Sequence, residues 1–257
     1  MKQLFNIVKK TFILGIFVLF GTFAMAQGNA LFEKGNALYN DGKFAEAIDT
    51  YQVILDSGQH SAELYFNIAN AHYKLNNVAP SIYYYEKALQ LSPNDAEIKN
   101  NLVFAQQMTI DAIDVVPEVG FSRIHKNIVN SFSFDTWSKL AVAGMVLFVV
   151  CFIMYYFAEN TAKKRLFFMS FFVCLFLGLI TLFLAFQKYD LDKNDKPAIV
   201  FSAETSVKSD PNATSAEVFK LHEGTKVQIL ETFDDWSKIE LSDDKTGWMK
   251  TVDLKAL

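Results

Sequence analysis

Two apolar runs follow one another almost without a break: LAVAGMVLFVVCFIMYYF from Leu140 to Phe157, and LFFMSFFVCLFLGLITLFLAF from Leu166 to Phe186. Neither contains an Asp, Glu, Lys, Arg or His. About 20 apolar residues in a helix cross the hydrocarbon core of a bilayer. Core helices of water-soluble domains are usually shorter and keep a polar face. The runs therefore predict a transmembrane helical hairpin over 138–187, against the alternative of two core helices of a soluble domain. The link AENTAKKR carries Lys163, Lys164 and Arg165 against Glu159. Short basic loops stay on the cytoplasmic side, so the hairpin is expected to turn inside with both flanks outside. Trp137, Tyr155 and Tyr156 fall near the span ends, where amphipathic rings favour the interface. Pumps and proton relays need ionisable groups within the membrane. Ser170, Thr181, Cys151 and Cys174 do not supply them, which points to an anchor or a docking surface for other helices rather than a transporter.

The N-terminus predicts the same topology independently. Lys2, Lys9 and Lys10 precede the apolar run Thr11–Phe23, and Ala24-Met25-Ala26 before Gln27 reads as a small-x-small cleavage site. That order describes a secretory signal peptide over 1–26, with an uncleaved anchor as the alternative. Residues 27–117 hold 11 acids and 5 bases, and residues 188–257 hold 14 acids and 10 bases. Acidic flanks argue against nucleic acid, whose phosphates need clustered Lys and Arg. Both cysteines lie in the apolar runs, which leaves no disulfide framework or Cys-based metal spacing for the flanks.

Residues 30–108 repeat with a 34-residue period. Leu31 pairs with Tyr65, Phe32 with Phe66, Asn36 with Asn70, Tyr39 with Tyr73, Ile48 with Ile82, Tyr51 with Tyr85 and Leu55 with Leu89. Small residues stand at Gly35 and Ala69, and again at Ala47 and Ser81. Gly42 and Asn76 occupy the intervening turns, where a positive φ is easiest for these residue types. Phe44 and Val78 supply an apolar wedge early in each second helix, and Pro93 closes the second copy. This pattern resembles the tetratricopeptide repeat (TPR), although Lys34 and Gln59 depart from it. Asn94 or Asp95 can cap a following helix, whose Ile98, Leu102 and Ala105 form an apolar stripe. The expected TPR domain spans 28–110 as two repeats plus a capping helix. About three repeats are usually needed for a stable array. Completion by another protein, by a second copy or by the membrane-proximal segment is therefore expected.

The TPR resemblance implies a peptide-binding concave face on the first helix of each repeat. In this chain that face comprises Phe32, Asn36, Tyr39 and Asn40, then Phe66, Asn70, Tyr73 and Lys74. An Asn amide both donates and accepts and so suits an extended backbone; the alternative is that Asn joins neighbouring repeats. Tyr85 belongs to the packing pattern, whereas Tyr83 and Tyr84 are expected to cover the outside or to meet a partner.

Residues 111–137 form a linker and juxtamembrane segment. Pro117 and Gly120 break the preceding helix. Phe121, Ile124, Ile128 and Phe132 then recur at helical spacing opposite Arg123, His125 and Lys126, as in an interfacial amphipathic helix or a linker helix packed on the cap. Asp135 is a candidate N-cap of the first span. A polar linker covers 188–196. Beyond it, Ala198–Phe201, Ser206–Lys208, Lys226–Thr232, Trp236–Glu240 and Thr246–Lys250 predict short strands separated by turn residues, hence a small all-β barrel over 197–257. The stretches VKSDP (Val207–Pro211), LHEGTKV (Leu221–Val227), DWSKI (Asp235–Ile239) and GWM (Gly247–Met249) resemble a bacterial SH3-like (SH3b) domain, with Trp236 and Trp248 as near-core rings. Asp210 stands where that pattern usually has glycine.

No constellation for chemistry emerges. His60, His72, His125 and His222 are scattered, no hydrolase, phosphate-loop or zinc motif occurs, and Asp234-Asp235 and Asp243-Asp244 read as turn acids. No cofactor and no catalytic or metal residue is expected. The fold class is multidomain: an α-helical TPR solenoid, a transmembrane helical hairpin and a small all-β SH3-like barrel. This order of modules resembles the BatE-type Bat proteins of aerotolerance operons. The resemblance implies a non-enzymatic protein–protein interaction scaffold of the bacterial inner membrane, multi-pass, with TPR and SH3b domains on the periplasmic side. Its implied partners are membrane proteins with von Willebrand A domains, further TPR proteins and a MoxR-type ATPase. The alternative is a peptidoglycan-binding module that recruits a cell-wall enzyme.

Overall fold

The structure, a computed structural model, describes residues 28–111, 113 and 120–257. The expected signal peptide, and Pro117 of the juxtamembrane segment, lie outside the described residues. The chain divides into two compact units, one made of residues up to 113 together with 197–257, the other of residues 114–196.

In the first unit, the repeat produces helices α1 (28–40), α2 (Phe44–Asp56), α3 (Ala62–Lys74), α4 (Val78–Leu91) and α5 (Ala96–Gln106). Gly42 (φ 77°) and Asn76 (φ 58°) turn the chain between paired helices, in the left-handed region where Gly and Asn are best tolerated. The Ser61 side chain caps α3 by accepting from the Leu64 N–H, and Asp95 caps α5 by accepting from the N–H groups of Glu97 and Ile98. Each cap satisfies donors that a helix N-terminus otherwise leaves open. Gly35 is required by contact: a Cβ there would stand 2.3 Å from the Tyr51 ring. Ala47, Tyr51, Ile54, Leu64 and Ile68 pack the first repeat, and Ala69, Ile82, Tyr85, Ala88, Ile98, Leu102 and Ala105 pack the second against α5.

The same unit contains β1 (Pro197–Val200), β2 (Glu204–Lys208), β3 (Glu217–His222), β4 (Lys226–Phe233), β5 (Trp236–Glu240), β6 (Thr246–Lys250) and β7 (Leu254–Ala256). They form an antiparallel sheet in the order β3-β2-β6-β5-β4-β1-β7. Val207, Leu221, Val227, Ile239 and Met249 fill its interior. Strands β3 and β7 were not anticipated. Charged and apolar residues mix in Glu217–His222, and Leu254–Ala256 is only 3 residues long, so neither shows a clear alternation. Asp234 (φ 49°) and Asp244 (φ 63°) occupy tight turns, in keeping with their reading as turn acids.

Within this unit the barrel packs on the helical array. Ile199 of β1 is fully buried in the cluster that holds Ala79, Ile82 and Tyr83, with Phe201 and Leu257 packed beside it. The barrel thus covers one flank of α4, and apolar area removed from water at this seam stabilises both modules together.

In the second unit, α6 (Phe121–Val129) precedes two long helices, α7 (Phe134–Phe157) and α8 (Thr161–Asn194). Ser133, not Asp135, caps α7: its hydroxyl accepts from the Thr136 N–H, and Asp135 lies in the first turn, where its charge favours the helix dipole. Helix α8 runs through most of the stretch expected as the linker 188–196. The Lys188–Asp192 pair at 2.7 Å supports that extension. Gly144 and Gly178 let α7 and α8 meet backbone to backbone; a Cβ on Gly144 would stand 3.0 Å from the Gly178 Cα. Trp137 donates its indole N–H to the Val129 carbonyl at 3.0 Å. Only 6% of the most apolar stretch of each long helix is buried, whereas core helices of a water-soluble domain are mostly covered.

Candidate functional site

The first helices of the repeats carry the expected face, but its two asparagines are committed to packing. Asn36 Oδ1 accepts from the Tyr51 hydroxyl at 2.7 Å and from Asn67 Nδ2 at 2.9 Å. One repeat later, Asn70 Oδ1 accepts from the Tyr85 hydroxyl at 2.5 Å and from Asn101 Nδ2 at 3.1 Å. Each oxygen therefore ties α1 or α3 to the second helix of its own repeat and to the first helix of the next. Burial pushes the Tyr51 phenol up to about 12 and raises Tyr85 as well, so both hydroxyls remain donors at neutral pH. What Asn36 and Asn70 retain for a ligand is their Nδ2 donors, which suit a carbonyl or carboxylate oxygen.

Tyr39, Asn70, Tyr73 and Lys74 line one cavity of about 310 Å³ with Tyr85, Glu97, Asn101 and Phe104. Phe32 instead lines a separate cavity of about 460 Å³ near His60 and Ser61. Phe66 packs its ring 5.9 Å from that of Tyr85, Tyr39 meets Phe44 edge-on at 5.2 Å, and Asn40 is exposed. The face thus resolves into one cavity formed by α1, α3, α4 and α5, and a second near the start of α3. Sequence reasoning missed Glu97, Asn101 and Phe104. The 34-residue period that relates Asn67 to Asn101 could have found one of them. Phe104 sits one period after Asn70 and breaks the identity match.

A second constellation lies where the barrel meets the helices. The Asp111 carboxylate accepts from the His222 backbone N–H at 2.7 Å, meets His222 Nδ1 at 2.7 Å and accepts from the Thr225 hydroxyl at 2.6 Å. Burial works against the charge of Asp111, but these hydrogen bonds from Thr225 and His222 outweigh it and hold the carboxyl below its ordinary range. Lys226 pairs with Glu86 at 2.8 Å. Gly224 (φ 88°) lies against α4 and the segment after α5; a Cβ there would stand 2.8 Å from Val78 Cγ1 and 2.9 Å from Thr109 Cγ2. His222 and Tyr83, read from sequence as a barrel residue and an outward ring, are both seam residues. Burial, with the nearby Lys255 charge, lowers His72 to about 4, so it is a neutral imidazole stacked on Tyr84.

Known proteins share both modules. Residues 26–96 match the tetratricopeptide repeat family and residues 203–255 match the bacterial SH3 domain family. Among solved structures, the TPR domain of Sgt2 from Aspergillus fumigatus is 18% identical over 38% of this chain and 93% of that one, with a TM-score of 0.20. No curated protein matches the chain. The chain thus combines a TPR region, which implies protein partners, with a bacterial SH3-like barrel and two long apolar helices. Both matched modules are typically binding modules rather than catalysts.

Proposed function

We propose that the protein is a membrane-anchored, non-enzymatic scaffold of the bacterial envelope, of the BatE type, in which the TPR cavity holds a segment of a partner protein. The observation that carries this reading is the single compact unit built from residues on both sides of the two apolar helices. A chain that leaves this body after residue 113 and rejoins it at residue 197 must cross a bilayer an even number of times. Two apolar helices joined by a basic link do that, and the positive-inside rule then puts the body outside. The exposed apolar surface along α7 and α8 supports anchoring, and the exposed Ile124 and Ile128 support an interfacial α6. The BatE resemblance points to von Willebrand A-domain proteins, other TPR proteins and a MoxR-type ATPase as partners.

The groove is tested with a photocrosslinker at Asn40 in native membranes. The double substitution Lys74→Glu with Phe104→Ala should abolish partner capture, because both side chains line the cavity and are exposed. Undiminished capture removes the groove from the proposal. The match to the bacterial SH3 domain favours a second reading, in which the barrel binds peptidoglycan peptides and the repeats recruit a wall enzyme. Saturable retention of the full-length protein on purified sacculi, lost on substitution in the barrel, would favour it.

A further inference from the structure

Outside the groove, a strip of rings crosses the seam between the helices and the barrel. His60 stacks on Tyr65 at 5.9 Å, Tyr65 on Tyr84 at 6.0 Å, and Tyr84 on His72 at 5.8 Å. Two lysines flank the strip. Lys87 of α4 lies 6.0 Å over Tyr65, and Lys255 of β7 lies 4.3 Å over Tyr83, 5.6 Å over Tyr84 and 5.4 Å over Phe201. Among the described residues, neither ammonium has a carboxylate within 4.0 Å. Lys226 and Lys220, by contrast, each find one. Burial, and then the charge of Lys87, lower the Lys255 ammonium, so the two cations repel each other with no anion between them. Lysine over an aromatic face is attracted by the ring, but that attraction leaves the net charge unbalanced.

We propose that Lys87 and Lys255, with Tyr65 and Tyr84 between them and His72 beside Tyr84, form a second binding site that takes an acidic peptide segment in extended conformation. The charge calls for carboxylates. The rings call for a peptide rather than a lone oxyanion: same-face side chains of an extended chain recur about every 6.6 Å, close to the ring spacing of the strip. The partly buried rings of His72 and Tyr84 offer their edges to the alternating apolar side chains, and the exposed His60 continues the strip. The site exists only where barrel and helices are docked, since Lys255 and Phe201 come from one and Lys87, Tyr83 and Tyr84 from the other.

The test uses the full-length protein in detergent micelles and a synthetic Glu-Leu-Glu-Leu-Glu peptide, followed by calorimetry and by the ¹³Cε resonances of the lysines. Saturable binding is expected, with shifts at Lys87 and Lys255. Loss of one charge-assisted contact weakens binding by roughly tenfold or more, so Lys87→Gln, which removes no cross-seam contact, should do so. Lys74→Gln in the groove should leave binding unchanged, which separates this site from the groove. Absence of saturation, or wild-type binding by Lys87→Gln, overturns the site. Equal affinity for inorganic pyrophosphate overturns its assignment to peptide.

Discussion

The Asp111 carboxylate and the His222 imidazole meet at 2.7 Å across 111 residues of sequence. Asp111 follows the last TPR-region helix, and His222 ends β3 of the barrel. Between them the chain makes its entire excursion through the apolar hairpin. Their contact, reinforced by Thr225, ties the barrel to the helices beside the apolar seam at Ile199.

Asp111→Ala should therefore loosen the seam without unfolding either module. It leaves the His222 N–H and the Thr225 hydroxyl without their acceptor, at a cost of about 1–3 kcal/mol. Hydrogen exchange should accelerate in the turn between β3 and β4 and in the last turn of α5, while α2 and β5 keep their protection. The pH dependence has a definite sign. Because the folded carboxyl is held below its ordinary range, its contribution is complete above about pH 4 and is lost as pH falls through the lowered value. Asp111→Ala should remove that part of the acid sensitivity.

Gly224→Ala should act on the same seam from the steric side. The added Cβ meets Val78, Thr109 and Ile82 at 3.0 Å or less, at a φ of 88°. Overpacking together with a strained φ costs about 1–3 kcal/mol. Gly42→Ala shares the positive φ but meets nothing within 4 Å, and should cost only about 1 kcal/mol. Limited proteolysis separates the two variants: Gly224→Ala should release an intact barrel fragment sooner, and Gly42→Ala should not.

His72 predicts a second pH effect. Its folded value of about 4 lies below the ordinary 6.5, so the unfolded chain takes up the proton first. Stability should be full above about pH 6.5, decline as pH falls to about 4, and change no further from this group below that. Melting temperatures recorded from pH 7.5 to 4.5 should show the decline, and His72→Gln should flatten it.

Much of this was legible in the sequence, and what was not has a common cause. The period of 34 places Gly35, Ala69, Gly42 and Asn76 in the positions they occupy, because tight helix contacts and left-handed turns admit few residue types. The barrel strands with clear alternation were readable for the same reason. The seam was not. Asp111, His222, Gly224 and Ile199 are individually ordinary residues of a loop, a strand end, a turn and a strand, and only tertiary docking brings them together. The role of the groove asparagines was half readable: the period aligned Asn36 with Asn70, but not the 31-residue offset that joins Asn36 to Asn67 and Asn70 to Asn101.

That offset gives a prediction of its own. Asn36→Ala strips the Tyr51 hydroxyl, on a side chain with no exposure, of its acceptor. It should cost about 1–3 kcal/mol, and Asn70→Ala should cost a similar amount through Tyr85. Phe104→Ala, at an exposed position, should change stability little. An asparagine variant that loses partner capture is therefore informative only beside its melting temperature, whereas loss of capture by Phe104→Ala reports on the groove itself.

Topology is the prediction on which the scaffold depends. With Cys151 and Cys174 replaced by Ser, single cysteines at Asn40, Thr161 and Lys245 place one probe on the TPR face, one in the basic link and one in the barrel. Asn40 and Lys245 are exposed within one compact unit, so a docked body requires them to share a compartment. A membrane-impermeant maleimide applied to intact cells with a permeabilised outer membrane should label both and spare Thr161 until the inner membrane is broken. Labelling of Thr161 alone would place the body in the cytoplasm and exclude an envelope scaffold. Labelling that separates Asn40 from Lys245 would break the body itself, since the contact of Asp111 with His222 cannot form across a bilayer.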